Sequence, residues 1–208
     1  MTKKERVLEI IKRLKIEYPK AECSLQYEDP VQLLICTRLS AQCTDARVNA
    51  ISPALFERFP TLQDFAKATP EEVEPYIYSC GFYHGKARDI VGMCQMLQNE
   101  YKGIVPDTIE ELVKLPGVGR KTANLIVGDI YHKPSVVTDT HCIRITNRLK
   151  LASSENPAVC EKQLRTVLPP EESTDFCHRI VQFGRDTCES RNPKCEGCIL
   201  QDLCSFKK

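Results

Sequence analysis

Residues 115–123 read Leu115-Pro116-Gly117-Val118-Gly119-Arg120-Lys121-Thr122-Ala123. Ahead of them, Pro106 to Lys114 predicts a short helix stopped by Pro116; behind them, Lys121 to Asp129 predicts a second helix. The turn between is Pro-Gly-Val-Gly. Glycine reaches positive φ without a steric penalty and puts no side chain over the backbone. The N–H groups of the turn and those opening the second helix can then face one anion, for which a backbone phosphate is the natural candidate. An αα-hairpin with a glycine turn and no ligand would read the same way. A lone Gly-x-Gly does not separate the two readings.

Working outward, 208 residues suit one or two domains with a real core. The formal net charge is +1, which neither demands nor excludes a polyanionic partner. Local charge says more. Between Lys114 and Lys150 the bases Lys114, Arg120, Lys121, Lys133, Arg144, Arg148 and Lys150 face only Asp129 and Asp139, so a neutral chain carries a basic sector able to meet phosphates. The basic excess of the N-terminal segment, from Lys3 to Lys20, reads instead as a solvated helix face. No apolar signal core and no bilayer-spanning run is present. A soluble, cytoplasmic protein with no membrane partner is expected, associated with the nucleoid if the source is bacterial. Twelve cysteines are then thiols or metal ligands rather than disulfides.

The remaining periodicity is helical throughout. Val7, Leu8, Ile10, Ile11 and Leu14 share one face of a segment from Lys3 to Tyr18. Pro30 opens an apolar run to Leu39 that continues into Ser40-Ala41-Gln42, with Cys36 as a core thiol. Thr44 and Asp45 start a helix that Pro53 is expected to kink or interrupt. Thr69-Pro70-Glu71-Glu72 combines a capping threonine, proline at the first helical position and glutamate at the third. His84 to Tyr101 turns Ala87, Ile90, Val91, Cys94 and Leu97 inward and stops at Gly103. Asp139 stands at a helix N-cap position. Pro157–Leu168 and Thr174–Arg185 complete an all-α fold class without repeats. No oligomerisation signal is visible, and a monomer is expected.

Near the C-terminus, Cys188, Cys195, Cys198 and Cys204 have six, two and five residues between them. The segment is polar and poor in core residues, so a metal centre would serve as its core. Spacing alone leaves Zn²⁺ and an iron–sulfur cluster both open.

The hairpin, the stretch Val137-Thr138-Asp139-Thr140-His141, this cysteine tail and the segment Leu39-Ser40-Ala41-Gln42 occur here in an order that resembles the endonuclease III family. The likeness runs from the first helix to Cys204. It implies two helical domains flanking a DNA-binding cleft. One is a six-helix domain over 22–133 with the helix-hairpin-helix at about 107–129; the other is an iron–sulfur domain over 1–21 plus 134–208. It implies a [4Fe–4S] cluster on the four cysteines, and N-terminal residues packed with that cluster domain. The implied partner is double-stranded DNA containing a damaged base or an abasic site.

By the same resemblance, Lys121 is the catalytic nucleophile and Asp139 the catalytic carboxylate. A lysine after a turn is ordinarily a solvated charge, and an aspartate there ordinarily caps its helix. Physical chemistry favours the sharper role for Lys121: a helix N-terminus and partial burial in a cleft both disfavour an ammonium and release free amine. Gln42 resembles the residue that fills the gap left by a flipped base; a polar residue at a helix end is the plainer reading. Phe82 falls where the family presents an intercalating wedge, often leucine; a core anchor is the plainer reading. Gly117, Gly119, Arg120, Thr140, His141, Arg191 and Lys194 are the further DNA-binding positions. The implied activity is a DNA glycosylase for oxidised pyrimidines that is also an abasic-site lyase. A monofunctional mismatch glycosylase shares the cluster but lacks the lysine nucleophile. A non-enzymatic DNA-binding or redox module gives no reason for Lys121 and Asp139 together.

Overall fold

Capping boxes and prolines set the helix starts. In this computed structural model, which describes residues 2–20 and 22–206, the Glu5 N–H donates to Thr2 Oγ1 and the Thr2 N–H donates back to the Glu5 carboxylate. That box opens α1 (Lys3–Glu17). There follow α2 (Pro30–Leu39), α3 (Asp45–Arg58), α4 (Leu62–Lys67), α5 (Pro70–Ile77), a 3-10 turn Tyr78–Cys80, and α6 (Tyr83–Glu100). Next come α7 (Ile109–Leu112), α8 (Arg120–Asp129), α9 (Thr140–Arg148), α10 (Pro157–Val167) and α11 (Ser173–Asp186). Among the described residues no strand occurs. The domain limits placed above at 1, 21 and 208 lie outside those residues. The chain divides into two compact units, Ser24–Tyr131 and Met1–Cys23 with His132–Lys208.

In the unit Ser24–Tyr131, α2 is the central helix. Asp29 caps it through bonds accepted from the N–H groups of Val31 and Gln32, and Pro30 occupies the first turn. Leu33, Leu34, Ile35, Cys36 and Leu39 are all fully buried, the pattern of a helix enclosed on every side. It touches α3, α6 and α8, while α6 packs against α4 and α5. The Glu72 carboxylate accepts the Thr69 N–H at 2.8 Å, as the Thr69-Pro70-Glu71-Glu72 signature predicts.

Two local expectations are corrected. Helix α3 runs from Asp45 to Arg58 without interruption at Pro53. A proline there removes the bond to the carbonyl four residues back, that of Asn49, and the Ser52 hydroxyl donates to this carbonyl at 3.5 Å instead. The helix predicted over Pro106–Lys114 is only the single turn of α7, capped by the Thr108 hydroxyl; Val113 to Leu115 continue as tight turns.

In the other unit the N-terminal helix joins the C-terminal tail. Val7, Ile10, Ile11 and Leu14 are buried, and α1 packs against α11 and α10. Arg6 donates to the Leu203 carbonyl. Arg13 donates to the Ile199 carbonyl at 2.8 Å and pairs with Asp202 through both guanidinium nitrogens.

The Arg13 guanidinium holds the Asp202 carboxyl below its ordinary range. A depressed folded-state value contributes stability above the unfolded aspartate value of about 3.9, and that contribution is lost as pH falls through the folded value. Urea unfolding of Asp202→Asn should therefore fall slightly below wild type at pH 7, the pair being solvent-exposed. The gap should close when both are measured well below pH 4.

Candidate nucleic-acid interface

The hairpin is anchored by Leu115 and Val118, both buried. Gly117 has φ +73°, and a Cβ there would lie 2.7 Å from Arg38 Cδ, 2.8 Å from Arg38 Nε and 2.9 Å from Asp89 Cβ. Those atoms belong to an ion pair between α2 and α6, with Arg38 Nε 2.7 Å and its NH2 nitrogen 2.6 Å from Asp89 Oδ2. Gly119 is different. Its backbone is extended (φ −93°, ψ 173°), and a Cβ would meet nothing within 4 Å. Glycine here leaves the mouth of α8 uncovered. No side chain caps α8, and its ladder begins with the Ala123 N–H donating to the Gly119 carbonyl. The N–H groups ahead of Ala123 thus lie outside the ladder, at the electropositive end of the helix.

Arg120 and Lys121 are both exposed at this end. The partial burial expected for Lys121 is not found: its side chain is exposed.

Asp139 belongs to the other unit and caps α9 as its position predicts: Oδ1 accepts the Cys142 N–H at 2.7 Å. Val136, Val137 and Thr138 ahead of it are buried, which fixes the carboxylate, itself part-exposed, at the surface of that core. Thr140 is exposed. His141 lies against Gly184 of α11, where a Cβ would come within 2.5 Å of His141 Nδ1, and the same nitrogen is 3.2 Å from Arg144. Gly184 thus lets α11 approach closely enough to hold the His141 ring; sequence reading missed it because the reason is a long-range contact.

Gln42 and Phe82 meet at one groove of about 630 Å³ within the Ser24–Tyr131 unit, together with Arg38, His84 and Arg88. Both take left-handed backbone conformations, φ 54° and 50°. For residues with a side chain this costs on the order of 1–3 kcal/mol each and is concentrated at functional positions. Phe82 is 71% exposed, so the core-anchor reading of it is excluded. Beside it the Tyr83 ring packs, tilted, against those of Tyr78 and His84, and His84 Nδ1 lies 2.7 Å from Glu74. Burial, and after it a hydrogen bond with Cys43, push the Cys80 thiol up to about 11.

Cys188, Cys195, Cys198 and Cys204 line one cavity with Ile145, Leu149 and Phe183. Burial, helped by the other three cysteines, raises the Cys198 thiol. Among the described residues no three Cys, His, Asp or Glu side chains converge tightly enough for one metal ion. Donors to sulfur are present: Arg148 donates to Cys188 Sγ at 3.2 Å and the Phe206 N–H to Cys204 Sγ at 3.4 Å. Arg148 also holds the Glu189 and Ser190 carbonyls and stacks on Phe206, while Arg144 holds the Cys188 carbonyl. Neither arginine was singled out as a scaffold residue from sequence. Arg191 is exposed on this loop. Lys194 is exposed too, but its ammonium donates to the Asp186 carbonyl and pairs with Glu189 at 3.6 Å, bracing its own loop.

A helical hairpin with an uncapped, cationic second helix defines a class. Residues 35–170 match the HhH-GPD superfamily base excision DNA repair proteins. The chain is 44% identical to endonuclease III of Synechocystis sp. over 98% of this chain and 93% of that protein. It is 38% identical to endonuclease III of Escherichia coli strain K12, over 99% and 97%. A solved structure of a trapped endonuclease III–DNA covalent intermediate, an estranged-adenine complex, superposes with a TM-score of 0.92 at 40% identity, over 99% of this chain and 96% of that one. This chain therefore belongs to the endonuclease III family.

Gly117→Ala places a methyl group against the Arg38–Asp89 pair at a positive φ. A loss of about 1–3 kcal/mol in denaturant unfolding is expected, with weaker duplex binding by titration. Gly119→Ala, where space is open, should unfold close to wild type.

Proposed function

We propose that this chain is a bifunctional DNA N-glycosylase that removes oxidised pyrimidines from duplex DNA and nicks the resulting abasic site by β-elimination. The observation that carries the reading is Lys121, exposed at the second residue of an uncapped helix, in a chain that matches endonuclease III across nearly its whole length. The N–H groups ahead of Ala123 and the Arg120 guanidinium bind backbone phosphate. Gln42 and Phe82 enter the base stack where a damaged base, already weakly stacked, leaves it. Gly117, Gly119, Thr140, His141, Arg191 and Lys194 complete the DNA-binding set.

In the chemical step the Lys121 amine attacks the sugar C1′, and the C1′–N bond breaks with its electron pair leaving on the base. Asp139 stabilises positive charge on the ring and relays the protons that leave the amine and reach the departing base. The C1′–O4′ bond then breaks, O4′ taking a proton relayed by Asp139, and the Schiff base so formed acidifies the C2′ proton. Its removal expels the 3′ phosphate, and water then hydrolyses the imine to free Lys121.

Cys188, Cys195, Cys198 and Cys204 would hold a [4Fe–4S] cluster. Four cysteine thiolates are the ligand set of a four-iron cluster, one sulfur to each iron. The N–H donors to Cys188 and Cys204 suit thiolate ligands. When bound, the cluster supplies a rigid core for the Arg191–Lys194 loop. No helix among the described residues is long and apolar enough to cross a membrane, and a cytoplasmic place, at the nucleoid if the source is bacterial, agrees with a DNA partner.

Borohydride reduction on a duplex with one abasic site tests the mechanism. Wild type should give a covalent protein–DNA adduct, and Lys121→Gln should give none while still binding. Asp139→Asn should slow base release by about 10²–10⁴-fold, the range for losing a general acid–base. A folded, duplex-binding wild type that forms no adduct would overturn the lyase assignment.

A further inference from the structure

Lys86 lies in the first turn of α6 and is only 1% exposed. Its ammonium donates to the Leu39 carbonyl at 2.8 Å and to the Cys80 carbonyl at 2.9 Å. These acceptors come from distant parts of the chain. Leu39 ends α2, three residues before Gln42; Cys80 ends the 3-10 turn, two residues before Phe82. The other carbonyls closing α2 are answered locally. Ser40 supplies its N–H to Cys36 and its hydroxyl to Thr37, Ala41 its N–H to Arg38, and Cys43 its N–H to Ser40. The Leu39 carbonyl is reached instead from 47 residues away.

Enclosing an ammonium is expensive, and burial accordingly drives the Lys86 pKa down. Methionine would fill the same space without that cost. What it could not do is supply hydrogen bonds to two carbonyls at once, leaving both buried acceptors unmet. The lysine is thus a tie between two loops whose tips both carry left-handed backbone.

We infer that Lys86 is a positioning residue for opening the duplex: its ammonium fixes the separation of the Gln42 and Phe82 tips, so that gap filling and wedging occur together. The inference rests on the duplex-reading roles proposed above for those two tips. Chemistry at Lys121 belongs to another element. Loss of the tie therefore weighs most on substrates whose stack has to be opened.

The test compares two rates for the cluster-loaded full chain. One is single-turnover release of an oxidised pyrimidine from a duplex. The other is β-elimination at an abasic site in a single-stranded oligonucleotide, which has no partner strand to part. Lys86→Met should lower the duplex rate at least tenfold more than the single-strand rate. Lys86→Arg, which keeps a charged donor, should recover most of the ratio. If the methionine variant does not fold, Lys86→Gln, too short to reach both carbonyls, supplies the same comparison. Equal losses on both substrates would mean a merely structural lysine, and two unchanged rates would likewise overturn the inference. Absence of both activities from wild type would instead overturn the functional reading beneath it.

Discussion

The Arg38–Asp89 ion pair occupies the space that a side chain on Gly117 would need. Three elements meet at that point: the end of α2, the first half of α6 and the turn of the hairpin. Arg38 is four residues ahead of Gln42 in the chain, and Asp89 is seven past Phe82. One charged contact thus sets the hairpin turn against the same two helices whose neighbouring loops carry the groove residues. A partly buried pair with short bonds holds geometry better than it adds net stability. Its value here is register. The turn cannot drift from the loops without either the ion pair or the glycine giving way.

Much of this arrangement was legible from sequence because it rests on local chemistry. Thr69-Pro70-Glu71-Glu72 and Asp139 bond within four residues of themselves, so their caps could be read directly. The hairpin glycines could be read as a pair, though they serve different ends: Gly117 fills a steric need, Gly119 leaves an opening. Pro53 does not interrupt α3, since the adjacent Ser52 hydroxyl takes up the orphaned Asn49 carbonyl, a local bond that the sequence offered and the reading overlooked. Where partners come from far along the chain, the reading failed. The α6 periodicity placed Ala87, Ile90 and Cys94 inward, and Lys86 falls beside them. A charged residue at such a position reads as solvated until its acceptors at Leu39 and Cys80 are known. Arg144 and Arg148 escaped for the same reason, their carbonyl partners lying about 40 residues downstream.

The tail from Cys188 to Cys204 has too few apolar side chains to fold by burial alone. Its order in this structure comes from arginines that reach its carbonyls: Arg13 at Ile199, Arg144 at Cys188, Arg148 at Glu189 and Ser190. Guanidinium groups suit that task because their donors are fixed in a plane and keep their charge at any working pH. The four thiols are arranged inside a cage that the rest of the unit has built.

The unit containing α1 is discontinuous, and this bears on synthesis. Helix α1 leaves the ribosome before the rest of its unit, yet its buried face is matched to α10, α11 and residues near Leu203. Its apolar stripe must wait for about 150 further residues, while the segment Ser24–Tyr131 emerges whole and contains its own core. Pairings so far apart along a chain are slow to form and leave apolar surface open to association in the meantime. The lysines and arginines interleaved along α1 keep that waiting helix soluble, a service rendered before the molecule has any fold to stabilise.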